Sequence, residues 1–319
     1  MRISVAICTW NRASFLDKTL EALARVSVPA GVEWEVLVVN NNSTDHTSEV
    51  IAKFENKLPL IGIVEIEQGL SNARNRAVLE AKGELIIWTD DDVIVATDWL
   101  VEYVNAARQY PDAAYFAGSI EPLYESLPPD WVKRNERRLW GPFALCLYDQ
   151  NLRPLAETEY PFGANMGFRL DVLKRFQFDK SLGRSGAKLI SGEEVDVIAR
   201  MKRAGLHGVW IGTARVRHWV PKERMTYSYI RNWFFGAGVS VARFEDIPGR
   251  RILGVPRWVM RRCFSGLLAW LRGYFLGDSA KRVAGLHDWA VNAGILAECH
   301  RQNRLKSRQP TTSPSAAEW

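Results

Sequence analysis

The chain has 319 residues, 47% hydrophobic and 24% charged. That is the balance of a soluble globular protein, with length for one large domain plus an appendage or two modest domains. Such a chain buries a sizeable core without covalent staples. Cys8, Cys146, Cys263 and Cys299 are widely separated and never in C-x-x-C spacing. Neither a zinc knuckle nor a disulfide framework is therefore expected, and free thiols fit a reducing compartment. Residues 1–225 carry 28 Lys and Arg against 30 Asp and Glu, whereas residues 226–319 carry 14 against 6. A near-neutral body joined to a basic C-terminal third suits an anionic surface, either membrane or nucleic acid.

The opening run Met1 to Ile7 is too short for a signal peptide, and the polar Thr9, Asn11 and Arg12 follow at once. No apolar run approaches the roughly 20 residues of a membrane-spanning helix, so a cytoplasmic protein is expected. Strand and helix patterns alternate through the first half, which predicts an α/β fold with a largely parallel sheet. Strands are predicted at Ile3–Cys8, Glu35–Val39, Ile61–Ile66, Glu84–Thr89 and Ala113–Ala117. Helices are predicted from about Ser14, with Asp17 three residues on, then after the polar cluster Asn40–Asp45, over Ser71–Ala81, and from a Thr97 cap through Arg108. Residues 120–162 hold Pro122, Pro128, Pro129, Pro142, Pro154 and Pro161 and read as a long excursion, a feature more often functional than idle. Strand character returns at Asn165–Arg169, a helix follows over Glu193–Ala204, and Gly208–His218 reads as a final strand pair. Residues 226–306 read as a basic, aromatic helical region and 307–319 as a disordered tail.

In open α/β sheets, ligands bind beyond the carboxyl ends of the strands. Those ends carry Thr9-Trp10-Asn11-Arg12, Asn40-Asn41-Asn42-Ser43-Thr44-Asp45 and Asp90-Asp91-Asp92. The absence of Gly-x-Gly-x-x-Gly after the first strand, and of any Walker-type Gly-Lys-Ser/Thr, argues against dinucleotide oxidoreductases and P-loop enzymes. Three adjacent carboxylates repel one another, and a divalent cation relieves the repulsion. Mg²⁺ and Mn²⁺ take such oxygen ligands and share them with substrate phosphates. The same triplet is also compatible with a plain acidic turn. Glu193, Glu194 and Asp196 are likewise compatible with first-turn acids that offset a helix dipole.

The motifs in order carry a resemblance. Ser4-Val5-Ala6-Ile7-Cys8-Thr9-Trp10-Asn11-Arg12 resembles the opening strand of family 2 glycosyltransferases of the GT-A fold. Val38-Val39-Asn40-Asn41-Asn42-Ser43-Thr44-Asp45 is similar to that family's V-V-D-N-x-S-x-D stretch, and Gly69-Leu70-Ser71-Asn72-Ala73-Arg74-Asn75 to its G-L-x-x-A-R-N helix start. Trp88-Thr89-Asp90-Asp91-Asp92 resembles its D-x-D segment. Gly163-Ala164-Asn165-Met166, Gly192-Glu193-Glu194-Val195-Asp196 and Val216-Arg217-His218 follow in the family's order.

The resemblance implies a GT-A-like α/β fold with a mostly parallel central sheet and a C-terminal helical region. It implies an inverting transfer from a nucleotide-diphosphate sugar to a sugar or lipid-linked acceptor, in polysaccharide or glycolipid biosynthesis, with Mn²⁺ or Mg²⁺ as cofactor. Thr9, Asn11, Arg12, Asn40, Asn42 and Asp45 would lie against the base and ribose, and Asn72 and Arg74 near base and diphosphate, at a helix N-terminus that favours anions. Asp90 and Asp92 would place the metal and ribose, with Asp92 the more direct ligand, and Asp91, Asn165 and Glu193 would touch substrate. Asp92 and His218 would ligate the metal, and Glu194 would be the catalytic base. The chain departs from the pattern where Asn40 and Glu194 stand in place of the family's Asp. Rival readings are a sugar-phosphate nucleotidyltransferase, which typically shows a Gly-rich loop after the first strand, and a nucleic-acid-binding protein using the basic C-terminal third.

Against nucleic acid, aromatic and basic residues separate along Pro256–Leu276. At 100° per residue, Val259, Met260, Cys263, Phe264, Leu267, Trp270, Leu271, Tyr274 and Phe275 fall on one half. Arg257, Arg261, Arg262, Ser265, Gly266, Ala269 and Arg272 are assigned to the other, and Trp258, Leu268 and Leu276 break the pattern. That pattern predicts either an interfacial helix on the inner face of the cell membrane or a helix packed on the catalytic domain.

Overall fold

The run Ile3 to Ile7, apolar except for Ser4, forms the buried middle of strand β1 (Arg2–Thr9). Continuous apolar character is what a strand covered on both faces requires. The computed structural model describes residues 1–183, 192–244, 247–252 and 254–306, and its contacts divide the chain into Met1–Thr226 and Tyr227–Trp319.

In the first unit, α1 (Ala13–Leu23), β2 (Glu33–Asn40), α2 (Thr47–Phe54), β3 (Leu60–Val64), α3 (Leu70–Glu80) and β4 (Leu85–Thr89) alternate after β1. They are followed by β5 (Val93–Val95), α4 (Trp99–Gln109) and β6 (Tyr115–Tyr124). The short turns α5 (Asp130–Lys133) and α6 (Trp140–Phe143) lead to β7 (Leu152–Pro154), β8 (Asn165–Arg169), α7 (Leu170–Leu173), α8 (Glu193–Arg203) and β9 (Gly208–Val220). The sheet order is β3-β2-β1-β4-β8-β6-β9-β5, with β7 also on β9. Its long ladders, β2 on β1 and β9 on β6, are parallel, whereas β8 runs antiparallel between β4 and β6. Leu16 and Leu20 of α1, Phe54 of α2 and Trp99 and Tyr103 of α4 fill one face. Ala73 and Ala77 of α3 and Val197, Ile198 and Met201 of α8 fill the other.

Three expectations are corrected. Gly208–His218 is the body of one 13-residue strand, not a strand pair. The strand expected to end at Ala117 runs on to Tyr124 because its second half pairs with β9, so the proline-rich excursion begins later. Strand β5 was not expected, since three residues after an acidic triplet carry no alternation to read. The Thr97 cap also shifts, with Asp98 preceding the first turn of α4.

In the second unit, α9 (Tyr227–Phe244) is followed by a minimal hairpin of β10 (Arg251–Ile252) and β11 (Val255–Pro256). Helices α10 (Arg257–Phe275) and α11 (Ser279–Lys306) complete it. Glycine brings these helices together. A Cβ on Gly266 of α10 would fall 2.5 Å from the Trp289 amide of α11, and one on Gly238 of α9 would fall 1.9 Å from the Val291 carbonyl. Trp270 stacks on Trp289 with centroids 5.5 Å apart. The expected tail at 307–319 lies outside the described residues. No helix among those described is long and apolar enough to cross a membrane.

Candidate functional site

The carboxyl ends of β1, β2 and β4 gather the polar clusters at one edge of the sheet. Strand β5 then turns back onto β9 with Val93 opposite His218, which carries the imidazole to the acidic triplet. Ligand atoms of Asp90, Asp92 and His218 lie within 4.8 Å of one another. Asp92 Oδ1 is 3.4 Å from His218 Nε2, is buried, and has no hydrogen-bond partner among the described residues. Burial lowers the His218 pKa and so keeps the ring neutral, the form that ligates. Burial also works against the Asp92 charge, but the guanidinium groups of Arg12 and Arg224 favour it, and the carboxyl stays below its ordinary value. An orphaned carboxylate oxygen facing a neutral imidazole fits a divalent cation.

Arg12 was expected on the donor. Its guanidinium bridges Asp91 and Asp92, with Nη1 2.9 Å from Asp91 Oδ1 and Nη2 2.6 Å from Asp92 Oδ2. Asp91 also accepts a 2.8 Å hydrogen bond from Thr9 Oγ1, and burial pushes its pKa up to about 7 against the pull of Arg12. Thr9 and Asp91 are therefore buried supports of the cluster. Thr19 Oγ1, which sequence reading missed, joins the carbonyls of Asp91 and Val93. Arg224 was missed too; its charge acts on both Asp92 and His218.

A second cluster forms where α3 meets α8. Arg74 Nη1 lies 2.6 Å from Glu193 Oε1 and 3.8 Å from Glu194 Oε2, with Arg74 and Glu193 almost fully buried. The guanidinium also lies over the Trp88 and Phe178 rings. Gly163 makes room for it, since a Cβ there would fall 2.1 Å from Arg74 Nη2. Arg74, expected near the diphosphate, and Glu193, expected to touch substrate, are thus held together as an ion pair. Glu194 keeps one buried oxygen, Oε2, with no hydrogen bond among the described residues. Burial, and then the Glu193 charge, raise Glu194 to about 8 despite Arg74. The two clusters are electrically close, because Arg74 is influenced by Asp90 as well as by both glutamates.

The third group is the pair of loops after β1 and β2. Asn11 and Asn42 adopt left-handed backbone, φ 53° and 63°, which Asn tolerates better than most residues. Asn11 Oδ1 accepts from the Thr44 amide at 2.7 Å, and Asn40 Oδ1 accepts from the Ser43 amide at 2.9 Å. Asp45 accepts from the amides of Ala13 and Thr47, the first residues of α1 and α2. Asp45 thus caps α1 from outside, where Ser14 and Asp17 had suggested a local cap. Asn41, within the same loop, donates to the Glu65 and Glu67 carbonyls and accepts from the Gly69 amide, tying β2 to the start of α3. Asn72, in that first turn, has a buried Oδ1 with no hydrogen bond among the described residues.

Asn165, expected to touch substrate, is buried in the core. Its Oδ1 accepts from Trp99 Nε1 and Tyr103 Oη at 2.8 and 2.9 Å, and its Nδ2 donates to the Ser119 and Ala214 carbonyls. Both its amide oxygen and its amide nitrogen are thus engaged within the protein.

These features sit on a chain whose residues 4–176 match the sequence model of glycosyl transferase family 2. The succinoglycan biosynthesis protein ExoM of Rhizobium meliloti is 25% identical over 249 residues, 76% of this chain and 75% of that protein. The glucosyl-dolichyl phosphate glucuronosyltransferase of Haloferax volcanii is 24% identical over 247 residues, 75% and 76% of the two chains. The mannosyltransferase PcManGT from Pyrobaculum calidifontis, solved with GDP-Man and Mn²⁺, superposes with a TM-score of 0.53 at 17% identity, over 99% of this chain and 77% of that one. At that identity the structural likeness speaks for the fold alone. A family match over more than half of the chain, on a sheet edge bearing two acidic clusters, makes this protein a member of glycosyl transferase family 2, a glycosyltransferase with the GT-A fold.

Proposed function

We propose that the protein transfers a sugar from a nucleotide-diphosphate donor to an acceptor hydroxyl with inversion. The observation that carries this reading is the pairing of a metal-type cluster, Asp90, Asp92 and His218, with a separate raised carboxyl, Glu194. A bound divalent cation would supply Lewis-acid stabilisation of the leaving diphosphate. Asp92 and His218 would hold it directly, and an imidazole in the donor set would favour Mn²⁺ over Mg²⁺.

Glu194 accepts the proton of the acceptor hydroxyl. The acceptor oxygen bonds to the anomeric carbon as the carbon–oxygen bond to the diphosphate breaks, and the electron pair leaves on the nucleotide. A single displacement inverts the centre. The loops carrying Asn11, Asn40, Asn42 and Asp45 hold the base and ribose, and Asn72 offers its unpaired oxygen at the start of α3. We take the acceptor to be a sugar or lipid-linked sugar of polysaccharide or glycolipid assembly, as the names of the two relatives suggest, and the work to be cytoplasmic and peripheral to a membrane.

The test is release of nucleoside diphosphate from a panel of nucleotide sugars with Mn²⁺. Excess chelator is expected to abolish turnover, with Mn²⁺ restoring it. Asp92→Asn is expected to lose ~10³-fold or more, several kcal/mol of charge stabilisation, with its melting curve still cooperative. Full turnover in chelator refutes the metal assignment.

A further inference from the structure

Helix α10 turns its smallest residues inward. Its buried positions are Val259, Gly266 and Gly273, the two glycines lying against the backbone of α11. The sequence reading had put Gly266 on the arginine half, away from any packing face. Backbone-to-backbone contact leaves the bulky side chains on the far side of the helix. Met260, Phe264, Leu268, Leu271 and Phe275 recur at helical spacing as one stripe, and all are exposed, Phe264 by 64% and Phe275 by 79%. A contiguous apolar stripe of this size marks an interaction surface.

Charge selects the partner. At 100° per residue Arg257 shares the angle of Phe275 and so falls within the stripe, not on the arginine half where the sequence reading placed it, and Arg261 and Arg272 lie along one margin. All three are exposed and make no ion pair among the described residues. Helix α10 contains no acidic residue. Apolar side chains bordered by unpaired guanidinium groups match a surface with hydrocarbon beneath and negative charge above. A second copy of the chain would bring the same arginines against themselves, which disfavours self-association through this face.

We infer that α10 seats the C-terminal unit on an anionic lipid bilayer, with Phe264 and Phe275 entering the acyl region and Arg257, Arg261 and Arg272 meeting lipid phosphates. This inference rests on the surface of that unit and is independent of the donor, metal and base assignments.

The test is co-sedimentation of the full chain with vesicles of phosphatidylglycerol and phosphatidylcholine, and of phosphatidylcholine alone. Binding to the anionic vesicles that weakens with salt is expected. Phe264→Ser with Phe275→Ser is expected to weaken partitioning about tenfold or more. Arg257→Gln, Arg261→Gln and Arg272→Gln together are expected to weaken it about a hundredfold and to remove the salt dependence. Circular dichroism and donor turnover, unchanged in both variants, would separate lost docking from lost folding. Wild-type chain left in the supernatant at low salt, equal binding to neutral vesicles, or phenylalanine variants that bind as tightly as wild type would each overturn the inference. So would a solution dimer that the phenylalanine substitutions dissociate, since a second copy would then cover the stripe.

Discussion

Glu194 meets two opposing influences, one from its own helix and one from α3. Burial and the Glu193 carboxylate favour its protonated form, and Arg74 favours the charged one. A base must be deprotonated to act, so a raised pKa moves the acid limb of the rate upward. The pH profile of kcat/KM, which reports the free enzyme, is therefore expected to climb through about 8, where an unshifted glutamate would already have levelled off. Glu194→Gln, which keeps the size but cannot take a proton, is expected to lose ~10²–10⁴ in rate and the limb with it, while the donor KM stays put. A wild-type profile in that variant would move the role to another acid. Residue identities here were legible, because the acids and His218 stand in a motif order that the sequence displays. Their partners were not. Nothing in the sequence tells Arg74 that it closes on Glu193, 119 positions away, or Arg12 that it spans Asp91 and Asp92. Such pairings depend on which strand ends the fold brings together.

At the scale of elements, Asn165 accounts for an irregularity in the sheet. The register of β6 on β9 shifts between Gly118 and Ser119, which pair with Ile211 and Arg215 respectively. Carbonyls near the shift lose regular ladder partners, and the Asn165 amide donates to two of them, at Ser119 and Ala214. Asn165→Ala would leave those carbonyls and the donors of Trp99 and Tyr103 unsatisfied in the core. A loss of about 3–5 kcal/mol in urea unfolding is expected, since each orphaned group costs ~1–3 kcal/mol and partial relaxation recovers some. A loss below ~1 kcal/mol would show that the bulge is held by other groups. The helices and most strands were legible from apolar periodicity. The bulge was not, because a break in register is a property of two strands and leaves no period in either. The same reason hid β5, a strand defined by its pairing with His218 and its neighbours.

At the scale of the molecule, the sheet and both its helical layers close within Met1–Thr226. A chain ending at Thr226 is expected to unfold in one cooperative transition near that of the same unit in the full chain, followed by circular dichroism and tryptophan emission. A non-cooperative melt would mean that the first unit borrows stability from the second. Near residue 226 the composition also turns from near-neutral to basic, a signal that needs no knowledge of contacts. Strand β8 has a different consequence, one for synthesis. It lies in the middle of the sheet, between β4 and β6, yet β6 precedes it in the chain. On a ribosome adding ~5–20 residues per second, β4 waits roughly 4–16 s between its own completion and that of β8. During that interval the edge of β4 that will take β8 has no native neighbour, and it is open to any passing strand. The nascent chain is therefore most vulnerable to aggregation after Thr89 has emerged and before Arg169 has, and a stalled chain ending between them is the species a chaperone would be expected to hold.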